Sequence, residues 1–387
     1  GGLERAESKP SAYALDPGKA RRIEEALRAD PRVEFTGRYL TGGGLAGNGC
    51  GTTPFRAFGL DMEAERRIVS HPEVLRWAPD LVRPRAGRPL ADVDPALAPA
   101  TLGVRLARAL GKEAAPGDAP PAGDVAPLDC GAPDLRARLR ADPFVQLAAR
   151  THDGSFGATD AWVVGIYQAG TTEADKTAVA APLEVLQRVY DTDRVSYVAA
   201  FLRDPRAAAA VARDASDRLA AAGLEVAIYR FDDAKVNPYY VGTVGFIGAL
   251  VSFIGLVVAT VVALSVLNAM TLAILERTRE LGTFRALGFT RRQLLGLFLR
   301  EAAALSAIAL AAGLLLGLAV AAAVNAAGIQ FEPPGVGGKI PLLLAPSPAV
   351  CVAGALLLAA LALAATFFAV RRRVRAPVAV LVTEVAA

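Results

Sequence analysis

The sequence predicts an α+β domain outside the cytoplasm joined to an all-α membrane domain. Three observations predict it. First, Val241–Leu275, Ala302–Phe331 and Ile340–Val370 contain no charged residue. Each run exceeds the roughly 20 residues that take a helix across the hydrocarbon core of a bilayer, and a helix in water needs a polar face. Second, arginines gather at two places: Arg277, Arg279, Arg285, Arg291 and Arg292 between the first two runs, and Arg371, Arg372, Arg373 and Arg375 after the third. The intervening "GIQFEPPGVGGKIP" offers only Lys339. Positive charge stays on the cytoplasmic side, so the charged loop and the C-terminus are predicted to be cytoplasmic and the N-terminal region to lie outside. Third, strand-like and helix-like stretches alternate before the first apolar run, the pattern of helices laid on a small sheet.

The elements follow in order. Asp16-Pro17 combines an N-cap with proline at the first helical position, and the helix should run to about Ala29 with Ile23, Ala26 and Leu27 facing inward. "RVEFTGRYL" reads as a strand. The middle is poorly patterned, and "AAPGDAPPAGDVAP" has the composition of a flexible loop. Order returns near Asp142. "FVQLAAR" and "AWVVGIYQ" read as strands, "PLEVLQRVY" as a helix and "RVSYVAAFL" as a strand. A helix from about Pro205 to Ala222, a turn at Gly223 and a strand in "LEVAIYRF" complete the series. Residues 1–60 and 142–236 should form one α+β core, with about 61–141 as an insertion. The domains are therefore set at 1–238 and 239–387, with membrane helices over about 241–275, 296–327 and 343–370 and a charged segment over 276–293.

The first apolar run is long. As a continuous helix, 35 residues reach about 52 Å, against about 30 Å of hydrocarbon. Tyr239 and Tyr240 fit an interfacial belt. An outside domain also needs an export signal, and no signal-like stretch precedes it in "GGLERAESKP", so a fourth transmembrane helix is expected before residue 1.

Several function classes are disfavoured. None of the three apolar runs holds Asp, Glu, Lys, Arg or His, whereas ion and proton pathways need ionisable groups within the membrane. "GGGLAG" (Gly42–Gly47) satisfies GxGxxG, but "NGCGTTP" follows where a dinucleotide site needs a helix to open; a flexible loop is expected. "THDGSFG" places His152, Asp153 and Ser155 close in sequence, which is not how a triad is assembled, so a surface turn is expected. The net charge of +4 is small for 387 residues, and no nucleic-acid partner is expected. No CxxC or His-rich spacing marks a metal site. Cys50 and Cys130 lie where oxidising conditions permit a disulfide, which is expected over two unrelated thiols. Cys351 is read as a small packing residue of the last span. Gly313 and Gly317 form a GxxxG pair that permits close helix approach, within the chain or between copies.

The charged segment is amphipathic. Leu281, Phe284, Leu287 and Gly288 recur at helical spacing, while Arg279, Glu280 and Arg285 can face elsewhere. A short cytoplasmic helix is predicted. Lipid headgroups could draw it to the membrane surface, but Glu276 and Glu280 among the arginines suit a protein surface better.

"NAMTLAILERTRELGTFRALGFTRRQLLGLFLREA" resembles the FtsX-like permeases of ATP-binding-cassette systems, a superfamily with MacB-type exporters and lipoprotein-releasing permeases. The basic tail "RRRVRAPVAVLVTEV" resembles theirs too, so the likeness is specific over about 241–385. In the outside domain, "GRYLTGGGLAGNG", "FRAFGLD" and "VVGIYQAG" are most similar to the lipoprotein-releasing branch. The Pro/Ala-rich middle, the two outside cysteines and the first helix depart from the family pattern. The resemblance implies a bacterial inner-membrane permease with a periplasmic domain and a coupling role for Glu276, Arg277, Arg279, Glu280, Gly282, Arg285 and Gly288. It implies a cytoplasmic ABC ATPase dimer that holds the ATP and Mg, none being bound by this chain, whose sequence lacks a GxxxxGK[ST] loop. It also implies a second permease, identical or related, a periplasmic partner protein and contact with membrane lipids. The expected work is extraction of a lipoprotein or lipid. Export of antibiotics, toxins or peptides, and regulation of a cell-wall hydrolase without transport, stay open.

Overall fold

The computed structural model describes residues 14–77, 82–121, 128–277, 280, 283–284, 287–331 and 340–374. Two compact units emerge: residues 1–241 with 330–341, and residues 242–329 with 342–387.

In the first unit, helix α1 spans Pro17–Arg28. Asp16 caps it by accepting a bond from the Lys19 amide at 2.9 Å, and Ile23 and Leu27 turn inward. Strand β1 (Val33–Gly47) forms an antiparallel hairpin with β2 (Thr52–Leu60). The glycine run predicted as a loop lies within β1. A Cβ on Gly44 would meet the Ala148 carbonyl oxygen at 2.3 Å, and one on Gly42 the Tyr190 hydroxyl at 2.4 Å. These glycines serve close approach in a sheet, which is why the flexible-loop expectation fails.

The predicted insertion is also corrected. After α2 (Met62–Ser70), α3 (Pro72–Trp77) and the short β3 (Ala86–Gly87) comes β4 (Pro99–Gly103), buried at every residue. It pairs in parallel with β6 (Phe156–Tyr167) and antiparallel with β7 (Ala178–Pro182). A strand bonded on both sides belongs to the core. Helices α4 (Val104–Leu110) and α5 (Leu135–Ala141) complete this stretch. Part of the Pro/Ala-rich loop, residues 122–127, lies outside the described residues, but the Ala115 amide bonds the Val163 carbonyl at 2.8 Å.

Strand β5 (Phe144–Arg150), β6 and β8 (Tyr197–Leu202) stand where their patterns placed them. Among the described residues the strand order is β2-β7-β4-β6-β5-β1-β8, and β1 also pairs with β2. That extra pairing closes the first six strands into a ring, with β8 attached to the N-terminal half of β1. Helix α6 covers Ala174–Thr177. Helix α7 (Leu183–Tyr190) buries Leu183, Val185, Leu186 and Val189 and touches β1, β2, β5, β6 and β7. These side chains join Val145, Leu147, Ala161, Val163 and Val179 in the main core.

Beside β8, α8 (Ala208–Ala221) packs Ala215 and Leu219 against Ile23 and Leu27 of α1. Asp30, 3% exposed, ties the two helices: Arg32 donates to it at 2.7 and 2.9 Å, and Arg218 pairs with it from α8. The strand predicted in "LEVAIYRF" is not part of the sheet. Leu224 is buried and Val226 and Ile228 pack on this cluster, yet residues 224–230 pair with no strand.

The second unit is helical. Helix α9 spans Pro238–Glu276, α10 Arg291–Ala327 and α11 Pro348–Val374. All three are long and apolar enough to cross a membrane. Thr290 and Gln293 form a capping box that starts α10. Leu294 of α10 and Val370 of α11 are buried against each other with Phe298 and Ala369 around them. At the other end of the pair, the Asn325 side chain exchanges bonds with the Leu344 backbone at 2.8 and 2.9 Å. Residues Gln330–Phe331 and Ile340–Pro341, assigned to the first unit, pair as the short strands β9 and β10.

Candidate functional site

The charged segment joins two membrane-length helices, and its geometry follows from how each helix ends. Helix α9 closes at Glu276, and the Arg277 amide still bonds the Ala273 carbonyl at 3.2 Å. The Arg277 guanidinium then donates to both carboxylate oxygens of Glu301 on α10, at 3.1 and 3.3 Å. One guanidinium nitrogen thus straddles the carboxylate in a half-exposed ion pair. It ties the end of α9 to the third turn of α10.

Between the helices, Glu280, Thr283 and Phe284 are helical, and the Leu287 amide bonds the Thr283 carbonyl at 3.0 Å. Gly288 follows with φ +96°, a backbone conformation that costs glycine nothing. The chain folds back so that the Phe289 amide reaches the Phe284 carbonyl at 3.0 Å, and the two rings meet edge to face with centroids 5.3 Å apart. Leu287 is 72% exposed and Phe284 37%. The result is a small apolar knob on a charged loop, with Glu280 exposed nearby in sequence.

Of the coupling residues expected from sequence, the structure describes Glu276, Arg277, Glu280 and Gly288. Arg279, Gly282 and Arg285, and Leu281 of the predicted apolar stripe, lie outside the described residues. Glu301 was not anticipated. Its signal was present: Arg300 and Glu301 are the only charges within the long α10 after its first two residues.

The remaining candidates are distributed elsewhere. A Cβ on Gly313 or Gly317 would meet nothing within 4 Å, so no other described residue packs closely on the GxxxG stripe. Cys50 and Cys130 are joined as a disulfide with Cα atoms 5.5 Å apart. Asn48 holds the turn beside Cys50, accepting from the Cys50 and Gly51 amides at 3.0 and 2.7 Å and donating to the Leu110 carbonyl at 2.9 Å. In "THDGSFG", Asp153 accepts from the Thr151 hydroxyl and from the Ser155 amide and hydroxyl. These bonds hold the β5–β6 turn and hold the Asp153 carboxyl below the usual range. His152 uses its backbone instead, bonding the Tyr190 carbonyl at 2.8 Å, and lines an open cleft of about 780 Å³ with Glu184, Arg188, Asp191, Asp193 and Arg194. Among the described residues no three His, Cys, Asp or Glu side chains gather as a metal set.

Residues 239–378 match the family described as FtsX-like permease C-terminal. A stretch of 96 residues is 39% identical to the macrolide export ATP-binding/permease protein MacB of Brucella abortus (strain 2308). The same identity is found with MacB of Brucella melitensis biotype 1. The matched stretch is 25% of this chain and spans 13% of each relative's length. The extracellular domain of a noncanonic ABC-type transporter, YknZ, from Gram-positive bacteria covers 55% of this chain and 87% of its own, at 11% identity and a TM-score of 0.32.

Proposed function

We propose that this membrane protein, whose residues 239–378 are an FtsX-like permease C-terminal domain, works as the permease subunit of a MacB-type ABC transporter. A separate cytoplasmic ATPase dimer binds ATP and Mg, and this chain binds neither. The observation that carries the reading is the charged loop between α9 and α10, with its Arg277–Glu301 ion pair and the exposed Phe284, Leu287 and Phe289. By the arginine rule this loop is cytoplasmic, and Glu276, Arg277, Arg279, Glu280, Gly282, Arg285 and Gly288 form its coupling surface. A push on the loop is felt by both helices, because Arg277 belongs to the end of α9 and Glu301 to α10. Helix α9 is continuous with the chain that leaves the α+β domain. Work done on the loop therefore has a covalent route to that domain.

The work we assign is extraction of a lipoprotein or lipid from the inner membrane, through a dimer with a second permease, like or unlike, and a periplasmic partner. This rests on the likeness of the outside domain to the lipoprotein-releasing branch. The MacB relatives support a second reading, in which the cargo is a macrolide-like amphipathic compound. Purification of the full chain in mild detergent tests the proposal. An ABC ATPase should co-purify, and a bound lipoprotein or acylated lipid identified by mass spectrometry supports extraction. Retention of an ATPase with stimulation by a macrolide alone would favour export. Recovery with a cell-wall hydrolase, and no ATPase turnover linked to transport, would contradict both.

A further inference from the structure

The segment after α8 has strand character without strand bonding. Its side chains alternate: Leu224 is buried, Val226 and Ile228 are half-buried, and Glu225 and Ala227 are exposed. The inward set packs in the same cluster as Val198 and Ala200 of β8. That is the period of an extended chain lying in a sheet. Yet among the described residues no backbone hydrogen bond joins Glu225–Tyr229 to β8 or to any other strand. The Glu225 carbonyl is taken by the Lys19 ammonium at 3.2 Å instead.

Strand β8, for its part, has an open edge. It ends the sheet and pairs with β1 alone. Only at its approach is the outer side occupied, where Leu15 and Val195 exchange backbone bonds at 2.8 and 3.0 Å. From Tyr197 to Leu202, alternate N–H and C=O groups face outward with no strand against them. An unsatisfied edge and an unbonded extended segment thus share one apolar cluster. A strand followed by a helix and a second extended stretch is the connection by which a chain returns parallel to its first strand.

We propose that Leu224–Arg230 is a latch strand, which alternates between this free state and one in which it joins β8 in parallel and extends the sheet. The apolar anchors are already in place, so closing needs only a slide and rotation of the backbone to form the ladder. Water satisfies the same groups in the free state, which offsets most of what the ladder bonds would gain. The consequence is local to the chain. Closed, only Phe231–Asn237 separates the sheet from α9; open, the free length grows by the whole latch. The Asp233–Asn237 turn and the Phe231–Tyr240 ring contact, with centroids 5.4 Å apart, accompany it in the present state.

Amide hydrogen exchange on the full chain in lipid nanodiscs tests this. Glu225–Tyr229 should exchange about tenfold slower than an unstructured peptide, because a latch open a tenth of the time or more cannot shield further. The β1–β8 amides should exchange far more slowly. Val226→Pro and Ala227→Pro, made separately, remove neighbouring donors that point to opposite sides of the segment, so one of the two takes a ladder donor; that variant should abolish the latch protection while leaving the β1–β8 amides unchanged, which also reports that the domain is folded. Protection of Glu225–Tyr229 equal to β1–β8 would make the segment a permanent strand and overturn the proposal. So would unprotected exchange in the wild-type chain, or protection that survives both proline variants.

Discussion

Lys112 offers the clearest test of what holds the α+β domain together. Its side chain is fully buried, and its ammonium lies 2.5 Å from the Asp142 carboxylate and 3.2 Å from the Asp142 carbonyl. Asp142, 12% exposed, also accepts the Phe144 amide at 3.0 Å, at the start of β5. Lys112→Met keeps the unbranched stem of the side chain, one atom shorter, and removes its charge, leaving a nearly buried carboxylate unpaired. Breaking a buried pair from one side costs about 3–5 kcal/mol. The residual exposure of Asp142 and its bond to Phe144 place this case near the lower end, about 3 kcal/mol. For a domain of this size each kcal/mol moves Tm by about 2–4 °C, so a loss of about 6–12 °C is expected. Fluorescence of the buried Trp162 during thermal unfolding reads this domain. Adding Asp142→Asn to Lys112→Met removes the orphaned charge while keeping the acceptor for Phe144, and should recover more than half of the loss. A shift below about 2 °C for Lys112→Met, or no recovery in the double variant, would refute the reasoning.

Two further perturbations follow from the same domain. Replacing Cys50 and Cys130 by Ser opens a crosslink across 80 residues, for which chain-entropy arguments give about 4.5 kcal/mol; Trp162-monitored unfolding should show the loss, and reductant should reproduce it in the wild-type chain. Arg32 and Arg218 hold the Asp30 carboxyl well below its ordinary range, so the pair stabilises the fold fully above the unfolded carboxylate value of about 3.9. That contribution is lost as pH falls below it. Thermal unfolding between pH 5 and pH 3 should steepen in the wild-type chain relative to Asp30→Asn, and equal slopes would contradict the assignment.

What the sequence discloses depends on whether a residue's role is written in its neighbours. The membrane helices are legible because charge is excluded from runs longer than a bilayer is thick, and α1 is legible from Asp16-Pro17. Strands β4 and β7 are not: each is five residues long, too short and too buried for a period to emerge. The missed β4 is why residues 61–141 read as an insertion. The Gly42–Gly47 run misleads for a different reason, since glycine serves a loop and a crowded strand equally well. "LEVAIYRF" is the converse case. Its alternation correctly reports which side chains are buried, but side-chain period says nothing of whether the backbone ladder is made. Lys112–Asp142 and Arg277–Glu301 required the fold, because pairing across 24 or 30 residues leaves no local trace. At the candidate site, the sequence located the loop and its charges, and the structure added the clamp and the apolar knob.

The central claim is that the loop between α9 and α10 receives the stroke of an ATPase. Glu280→Lys combined with Arg285→Glu keeps the net charge, touches neither apolar span, and inverts the local charge pattern. The double variant should insert in the membrane at wild-type levels and keep the same unfolding temperature. The amount of ATPase retained on the purified permease should fall at least about tenfold, equivalent to 1.4 kcal/mol of docking free energy. Full retention of the ATPase, with substrate-stimulated hydrolysis intact, would contradict the account and leave the loop as a lipid-facing turn.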